Sequence, residues 1–484
     1  ILSQFGTGRE FEAYVAAVTV PDIIFQVLAG GAVGSAFIPV FKTYIARDGM
    51  DDGWRLARTA MTVAVAVTIP VALLFALIAR PLTDLIVPGF DAELKQQTAD
   101  LMRIMLVSPV LFAVSGFATS VLNSFQRFAL TALAPVAYNL SIIAGAVLLR
   151  SFGVEGVAIG VAVGALLHLL VQVPGLRAQG MVLRPAFQIH HPGLREVARL
   201  MGPRMLGLGV VQINLLVNVV LASLLISGSI GYLNVAWTLI MSPLVLAMAV
   251  STAVFPTLAE ESALEHNESV RELFLLSLRM ILFLTIPASV GLMVLAQPVI
   301  RLFFERGEFT AISTAMTAGA LIFYSIGLAG HASVEIVDRV FYALHDTRTP
   351  VTVAVGAFVL NIVLSLGLMQ TELNYRGLAL AHSLAALTEA AILLWLLSRR
   401  VGGLPLSMLW GGVARIGLAS AAMALTLGVL PAILGAVVPP ESDVVQAFEL
   451  MIMGTAGVLV YFGVSALLKS EDLGALVRLI RGRA

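Results

Sequence analysis

The stretch TALAPVAYNLSIIAGAVLL, residues 131–149, decides the fold class because it contains no charged side chain. A helix needs about 20 mostly apolar residues to cross a bilayer core near 30 Å thick. The rest of the chain has the same character, since 59% of its 484 residues are hydrophobic and only 12% are charged. A soluble chain carries about 25% charged residues. The sequence therefore predicts a polytopic membrane protein.

Thirteen segments have the length and composition of membrane-spanning helices. They are 15–40, 60–79, 101–124, 131–149, 154–175, 203–227, 231–257, 273–298, 313–342, 350–369, 376–398, 413–438 and 446–468. These runs are too long and too uniform for barrel strands, which alternate over about ten residues. We therefore predict an all-α fold. Residues 1–6 read as the end of a helix, so we expect one further helix before them and fourteen in the intact protein.

Several classes of function are excluded by the residues that the sequence lacks. The 29 basic residues balance the 29 acidic ones, which argues against a nucleic-acid partner. There is no cysteine, and the seven histidines are scattered. The sequence has no HExxH, GxSxG or Walker-type motif. We expect a protein that is not an enzyme and has no cofactor, driven by an ion gradient, the membrane potential or the gradient of its substrate.

An internal repeat divides the chain into similar halves. Ser35-Ala36-Phe37-Ile38-Pro39 resembles Thr252-Ala253-Val254-Phe255-Pro256, 217 residues later, and Pro81 matches Pro298 at the same offset. The matching segments lie six helices apart, so both halves have the same orientation in the membrane. The predicted domains are an N-lobe (1–175), a cytoplasmic linker (176–202), a C-lobe (203–398), and a C-terminal helix pair with a basic tail (399–484). The architecture is two parallel six-helix lobes plus that pair.

Four prolines inside the spans form a repeated pattern. Pro21 and Pro39 of the first half match Pro243 and Pro256 of the second. Each proline removes one backbone hydrogen bond, which membrane helices tolerate when neighbours replace it. We interpret the four as hinges, with a static kink as the alternative.

Basic residues set the expected orientation. They concentrate in one alternate set of loops, which includes 42–58, 177–204 and 399–415. The positive-inside rule places this set in the cytoplasm. We therefore expect a cytoplasmic N-terminus.

Six motifs give the chain a resemblance to a known family. They are Val87-Pro88-Gly89-Phe90-Asp91 with Leu101-Met102-Arg103-Ile104-Met105, Leu122-Asn123-Ser124-Phe125-Gln126-Arg127-Phe128, Leu133-Ala134-Pro135 with Asn139-Leu140-Ser141, Gln212-Ile213-Asn214, Phe304-Glu305-Arg306-Gly307-Glu308-Phe309-Thr310, and Phe341-Tyr342-Ala343-Leu344-His345-Asp346-Thr347-Arg348-Thr349-Pro350. These motifs resemble the MurJ (MviN) family of bacterial lipid II flippases, part of the MOP exporter superfamily.

The resemblance implies a function in peptidoglycan biosynthesis and cell shape. A member moves a polyprenyl-diphosphate-linked peptidoglycan precursor, lipid II, to the outer leaflet of the plasma (inner) membrane by alternating access of a V-shaped pair of lobes. The C-terminal pair, 413–438 and 446–468, corresponds to helices that form a groove for the polyprenyl tail. The implied partners are a lipid-linked glycan, membrane lipids and cell-wall synthesis proteins, with no nucleic acid.

The chain departs from the family pattern where arginines line the cavity. The family's Leu-Pro-Asn-Leu-Leu-Arg-Arg reads here Val20-Pro21-Asp22-Ile23-Ile24-Phe25-Gln26, and its Ala-Asp-Arg-Leu reads Ala236-Trp237-Thr238-Leu239. Guanidinium groups bind phosphate oxygens bidentately, so the substitutions remove that capacity at these positions. The candidate cavity residues are Glu12, Asp22, Gln26 and Thr238.

The family's sodium site is also eroded. Its positions align with Asn218, Asn361, Ser365 and, less closely, His382. None of the four is a carboxylate, so we expect weak Na⁺ binding, with the membrane potential as the other candidate for coupling.

Charged residues inside the spans give a further set of candidates. These are Arg103, Glu335, Asp338, Arg339 and Glu389. Intramembrane charge points to function by default, although Glu335 and Arg339, four residues apart, can also form a structural ion pair.

The main hypothesis is a lipid II flippase whose head-group binding or energy coupling has diverged. Two alternatives stay open at this point. One is a superfamily transporter of another lipid-linked saccharide or an amphipathic solute. The other is a non-transporting paralogue that serves as a membrane scaffold.

Overall fold

The computed structural model describes residues 1–28, 31–264, 266–404, 406–437 and 443–474. Within these residues the regular structure is helical and no strand occurs. This confirms the predicted all-α fold. The chain divides into two compact units, residues 1–231 and 232–484.

The first unit contains α1 to α11. These are α1 (Leu2–Phe5), α2 (Arg9–Leu28), α3 (Gly31–Asp48), α4 (Met50–Leu77), α5 (Ala79–Ile86), α6 (Ala92–Met105), α7 (Val107–Ser124), α8 (Phe128–Leu148), α9 (Val154–Leu170), α10 (Val173–Ala178) and α11 (Pro192–Ser223), with a 3₁₀ turn at Arg150–Phe152. Its core includes Phe37, Phe41, Trp54 and Phe117, whose rings stack or meet edge to face. This aromatic packing joins α3, α4 and α7.

The second unit holds most of α12 and all of α13 to α20. These are α12 (Ser229–Ala263), α13 (Asn267–Val294), α14 (Ala296–Phe304), α15 (Ala311–Ile326), α16 (Leu328–Ala343), α17 (Arg348–Leu368), α18 (Tyr375–Arg400), α19 (Leu406–Val437) and α20 (Asp443–Leu467). Here α13 packs against α16 and α19, and α18 packs against α15, α16 and α17.

The membrane-spanning helices agree with the sequence prediction. Among the described residues, 11 helices are long and apolar enough to cross a bilayer, and the pair α15–α16, bent by 43°, brings the number to 12 when it counts as one span. Each predicted segment except 203–227 overlaps one of these spans. Segment 203–227 falls mostly in α11, whose apolar part is the shorter stretch Gln212–Ser223.

Helix α11 packs within the first unit, against α2 and α3. Its start is fixed by His191, whose Nδ1 accepts from the Gly193 N–H at 3.1 Å and whose Nε2 lies 3.2 Å from Asp52 Oδ2. Its end meets Gly89, where a Cβ atom would lie 1.9 Å from the Ser223 carbonyl oxygen. The repeat instead assigns residues 203–227 to the C-lobe, and the predicted lobe boundaries stay a prediction.

Two family motifs form the same helix junction in the two units. Gln126, before α8, and His345, before α17, both have a φ of 58°, which is unusual for residues other than glycine. After each of them the chain turns back, and the next residue's N–H bonds a carbonyl five positions earlier, Arg127 to Leu122 and Asp346 to Phe341, both at 2.9 Å. This is a common way to end a helix. The two units therefore share this helix corner.

Close helix packing explains a run of small residues in the first unit. At Gly160 of α9, a Cβ atom would lie 2.8 Å from the carbonyl oxygen of Ser141 on α8. The Ser141 hydroxyl donates to the Gly160 carbonyl at 2.9 Å. Small residues at such crossings let membrane helices approach closely. Gly160 is therefore fixed by packing.

We expect Gly160→Ala to destabilise the fold by about 1–3 kcal/mol, because the added methyl meets backbone atoms that cannot move aside. Thermal unfolding of the purified protein in detergent measures the change. Gly356→Ala is the matched control, since a Cβ there meets nothing within 4 Å. Equal melting temperatures for the two variants would contradict the packing argument.

Candidate functional site

The exposed face of α2 carries the acidic candidate. Asp22 is exposed and Gln26, one turn further along the helix, is half-buried. Asp22 interacts electrostatically with the phenols of Tyr14 and Tyr138. The structure thus brings Asp22 and Gln26 together on one side of one helix.

Glu12 is buried and already bonded. It is only 3% exposed, its Oε1 accepts from the backbone N–H of Ile230 at 3.1 Å, and its Oε2 accepts from the Ser227 hydroxyl at 3.4 Å. The side chain also borders a cavity of about 150 Å³ together with Arg9 and Asp91. Glu12 therefore secures the start of α12, and its part in a substrate cavity stays a prediction.

Thr238 belongs to a polar stripe on α12. Asn234, Thr238 and Ser242 are all exposed and follow one another at four-residue spacing. The Thr238 hydroxyl donates to the Asn234 carbonyl at 2.9 Å. Residues four apart lie on one face of a helix. The sequence analysis missed Asn234 and Ser242, although this spacing was the signal that identifies them.

The candidate ion-site residues lie in both units. Asn218 is in α11 of the first unit, and its amide donates to the Asn214 carbonyl at 3.0 Å. Asn361 and Ser365 are buried on α17 in the second unit, and their side-chain polar atoms have no hydrogen-bond partner among the described residues. His382 of α18 is half-buried. Their grouping as one ion site therefore stays a prediction.

The side-chain oxygens of Asn361 and Ser365 are poor ligands for a sodium ion. Asn361 and Ser365 offer neutral oxygens, whereas hard cations prefer carboxylates among their oxygen ligands. The His382 ring packs 4.8 Å from both the His331 and the Trp237 rings, in an aromatic environment. Over the described part of the chain, no group of three or more His, Asp or Glu side chains is arranged to hold a metal ion.

The four candidate hinge prolines lie inside helices. Pro21 is buried in α2, Pro39 is exposed in α3, and residues 29–30 between these helices lie outside the described residues. Helix α12 runs without interruption through Pro243 and Pro256. The hinge function of all four stays a prediction.

Charged side chains of α16 and α18 form a group in the second unit. Arg339 Nη2 lies 3.9 Å from Glu335 Oε2, which is the ion pair that their spacing allows. Asp338 interacts electrostatically with Glu389 and Glu335, and its Oδ1 is buried without a hydrogen-bond partner among the described residues.

In the first unit, the Arg103 guanidinium donates to Asp100 Oδ1 at 2.6 Å and to the Ala76 carbonyl at 3.2 Å. Arg103 is thus a structural residue.

A buried polar network between α7 and α9 escaped the sequence analysis. Ser115 Oγ lies 2.6 Å from His168 Nδ1 and accepts from the Gln172 amide at 2.7 Å. The Thr119 hydroxyl donates to Gln172 Oε1 at 2.9 Å. The partners lie more than 50 positions apart along the chain, so no local pattern identifies them. The network holds the two helices together by interhelical hydrogen bonds.

Two acidic residues of the family motifs start helices. Asp91 accepts from the Leu94 N–H at 2.9 Å, which starts α6, and pairs with Arg9. The Leu94 N–H and then Arg9 lower the pKa of Asp91 below its ordinary value. Asp346 accepts from the Thr349 N–H at 3.0 Å at the start of α17, and bonds from the Thr349 backbone and hydroxyl lower its pKa. Both carboxylates therefore stabilise the fold at neutral pH and lose that effect as the pH falls through their folded-state pKa values.

An apolar cavity lies between α13, α19 and α20. Its volume is about 310 Å³. It is lined by Phe283, Leu284, Pro287, Ala288, Gly291, Leu295, Met423, Leu427, Gly454, Gly457, Val458, Tyr461 and Phe462. The one phenol, of Tyr461, donates to the Phe283 carbonyl at 2.7 Å, so it presents its ring to the cavity. A Cβ atom at Gly454 would meet nothing within 4 Å, which keeps the cavity open.

We expect Glu12→Ala to lower the stability by about 1–3 kcal/mol, because the buried Ile230 N–H loses its acceptor. Glu12→Gln keeps a carbonyl oxygen and should retain most of the melting temperature, and Glu10→Ala, at an exposed position, serves as the control. If Glu12→Ala melted at the same temperature as Glu10→Ala, the assigned role would be wrong.

Comparison with known proteins adds independent findings. The family model described as "Lipid II flippase MurJ" matches residues 1–450. A Vibrio cholerae protein described as "Probable lipid II flippase MurJ" is 33% identical over 409 residues, which cover 81% of this chain and 77% of the relative.

Solved structures agree on the fold. A structure described as "Lipid II flippase MurJ, inward closed conformation" is 25% identical, has a TM-score of 0.79, and covers 96% of this chain and 94% of its own. A multidrug resistance MATE family transporter of the MOP superfamily, in an inward-facing conformation, is 14% identical with a TM-score of 0.69, covering 82% and 91%. The second likeness is evidence of the fold alone.

Proposed function

We propose, from the premise that the chain belongs to the MurJ family of lipid II flippases, that it moves lipid II from the cytoplasmic to the outer leaflet by alternating access. The membership rests on a match that runs over residues 1–450. It favours lipid II transport over the alternatives of another solute or a non-transporting scaffold. The protein is a multi-pass membrane protein whose substrate is a lipid-linked glycan in a lipid surrounding.

The observation that carries the proposal is the apolar cavity between α13, α19 and α20. Lipid II has a long polyprenyl chain, and a transporter must keep that chain in an apolar environment while the polar head crosses. The cavity has no charged lining residue and has small residues, Gly291, Gly454 and Gly457, at its wall. We assign the tail to this cavity.

The head group is held by neutral hydrogen-bonding groups under this proposal. Thr238 of α12 stands where the family pattern has an arginine, and Asn234 lies one turn before it on the same exposed face. A neutral amide or hydroxyl donates to a phosphate without neutralising its charge, whereas a guanidinium adds both a positive charge and a bidentate pair of hydrogen bonds. We therefore expect weaker retention of the diphosphate and easier release.

The location and orientation complete the proposal. We place the protein in the bacterial plasma membrane with a cytoplasmic N-terminus, on the basis of the basic loops at 42–58, 177–204 and 399–415. Cell-wall synthesis proteins that make and consume the precursor are the proposed protein partners.

Filling the tail cavity tests the proposal. We expect Gly454→Leu to slow lipid II translocation about tenfold or more in proteoliposomes, because the new side chain occupies the space assigned to the tail. Gly463→Leu is the matched control: it lies on the same helix, is exposed, and its Cβ also meets nothing within 4 Å. Equal translocation rates for two correctly folded variants would contradict the assignment of the tail to this cavity.

The driving force gives a second test. An inside-negative potential favours outward movement of an anion by about 2.3 kcal/mol per charge for each 100 mV, and the neutral α17 donors argue against Na⁺ coupling. We propose that the membrane potential drives transport. Collapsing it with K⁺ and valinomycin should slow translocation several-fold, whereas replacing Na⁺ by choline should change the rate less than twofold. Loss of transport on removing Na⁺ alone would contradict this.

A further inference from the structure

A second cavity lies in the first unit, between α4, α7 and the segment that precedes α11. Its volume is about 390 Å³, within the range of small-molecule sites. The segment of residues 181–191 lies along α4, where the Ala186 N–H donates to the Thr62 hydroxyl at 3.0 Å. The cavity is separate from the apolar cavity of the second unit and from the α2 face that carries Asp22.

The lining of this cavity combines two cationic side chains with an apolar stretch of α4. Arg58 and Arg184 are the charged residues of its lining, and Met61, Val65 and Ala66 line the turns of α4 that follow Arg58. Eight residues separate Arg58 from Ala66, which is about 12 Å along a helix. Beyond them α4 continues as an exposed apolar face in the span. Charge at one end and hydrocarbon at the other is the order that a lipid has across one leaflet.

The two guanidinium groups are available to an anion. The Arg58 Nε donates to the Trp54 carbonyl at 3.1 Å, which leaves the two terminal nitrogens of that group for other acceptors. Among the residues that the structure describes, neither Arg58 nor Arg184 forms an ion pair. The acidic group nearest along α4, Asp52, is engaged by His191 Nε2 at 3.2 Å.

The segment over the cavity has the character of a membrane interface. Val182, Phe187 and Ile189 are exposed by 52%, 76% and 60%, and Leu183 by 38%. Apolar side chains exposed beside arginines are typical of segments that lie at the boundary of head groups and acyl chains. A lipid of the surrounding leaflet therefore reaches the cavity without crossing water.

We propose that this cavity binds an anionic phospholipid of the surrounding membrane, with the phosphate between Arg58 and Arg184 and one acyl chain along Met61, Val65 and Ala66. Guanidinium groups match phosphate oxygens in charge and geometry. A zwitterionic lipid offers the same phosphate with a compensating cation, so the site discriminates in favour of net negative charge. The bound lipid secures segment 181–191 against α4.

The test uses the full-length protein in phosphatidylcholine nanodiscs with increasing dioleoylphosphatidylglycerol, and native mass spectrometry counts the phosphatidylglycerol that stays bound. Arg58→Gln with Arg184→Gln should weaken retention roughly tenfold or more, since both guanidinium groups that bind the phosphate directly are lost. The control neutralises the same charge outside the cavity, with Arg55→Gln and Arg195→Gln, both exposed. Retention should be unchanged in the control.

A second pair of variants tests the acyl chain without changing any charge. Ala66→Trp fills the interior and should lower retention, whereas Val67→Trp, exposed on the same helix and outside the cavity, should not. If the test and control charge variants lost equal amounts of bound phosphatidylglycerol, the effect would come from general surface charge and the proposal would be wrong. Displacement of all bound phosphatidylglycerol by a polyprenyl diphosphate would assign the cavity to the transported substrate and overturn it as well.

Discussion

Every polar group inside the bilayer must find its partner within the protein, and this constraint organises the structure. The Glu12 carboxylate meets this requirement by accepting a hydrogen bond from the Ile230 N–H at the start of α12. The side chains of Ser115, His168 and Gln172 meet it by forming hydrogen bonds with one another between α7 and the end of α9. Asn361, Ser365 and Asp338 are among the residues with buried side-chain polar atoms that have no such partner in the described part of the chain.

The motifs that reveal the family are parts of the scaffold. Gln126 and His345 end helices with the same left-handed turn, and Asp91 and Asp346 begin the helices α6 and α17. Such junctions fix where helices start, end and cross. Under our proposal the transported molecule is bound elsewhere, in the apolar cavity of the second unit and at the polar face that carries Asn234 and Thr238. A scaffold of this kind can keep its geometry while the residues that contact substrate diverge.

The sequence predicted the helices well because length and hydropathy alone define a span. It also predicted the Glu335–Arg339 pair, since four-residue spacing determines which side chains meet on a helix. It could not predict that Glu12 bonds Ile230, more than 200 positions away, or that α11 packs with the first unit. Those contacts depend on tertiary packing, which leaves no local period in the sequence.

The central claim is that a scaffold of this family, with neutral residues where the family pattern has cavity arginines, still moves lipid II. The most direct measurement is growth of a bacterium depleted of its own MurJ while it expresses this protein in full length. The account predicts that growth and normal cell shape return, and that Gly454→Leu expressed at the same membrane level fails to restore them. Lysis of cells in which the unmodified protein is correctly inserted would contradict the account.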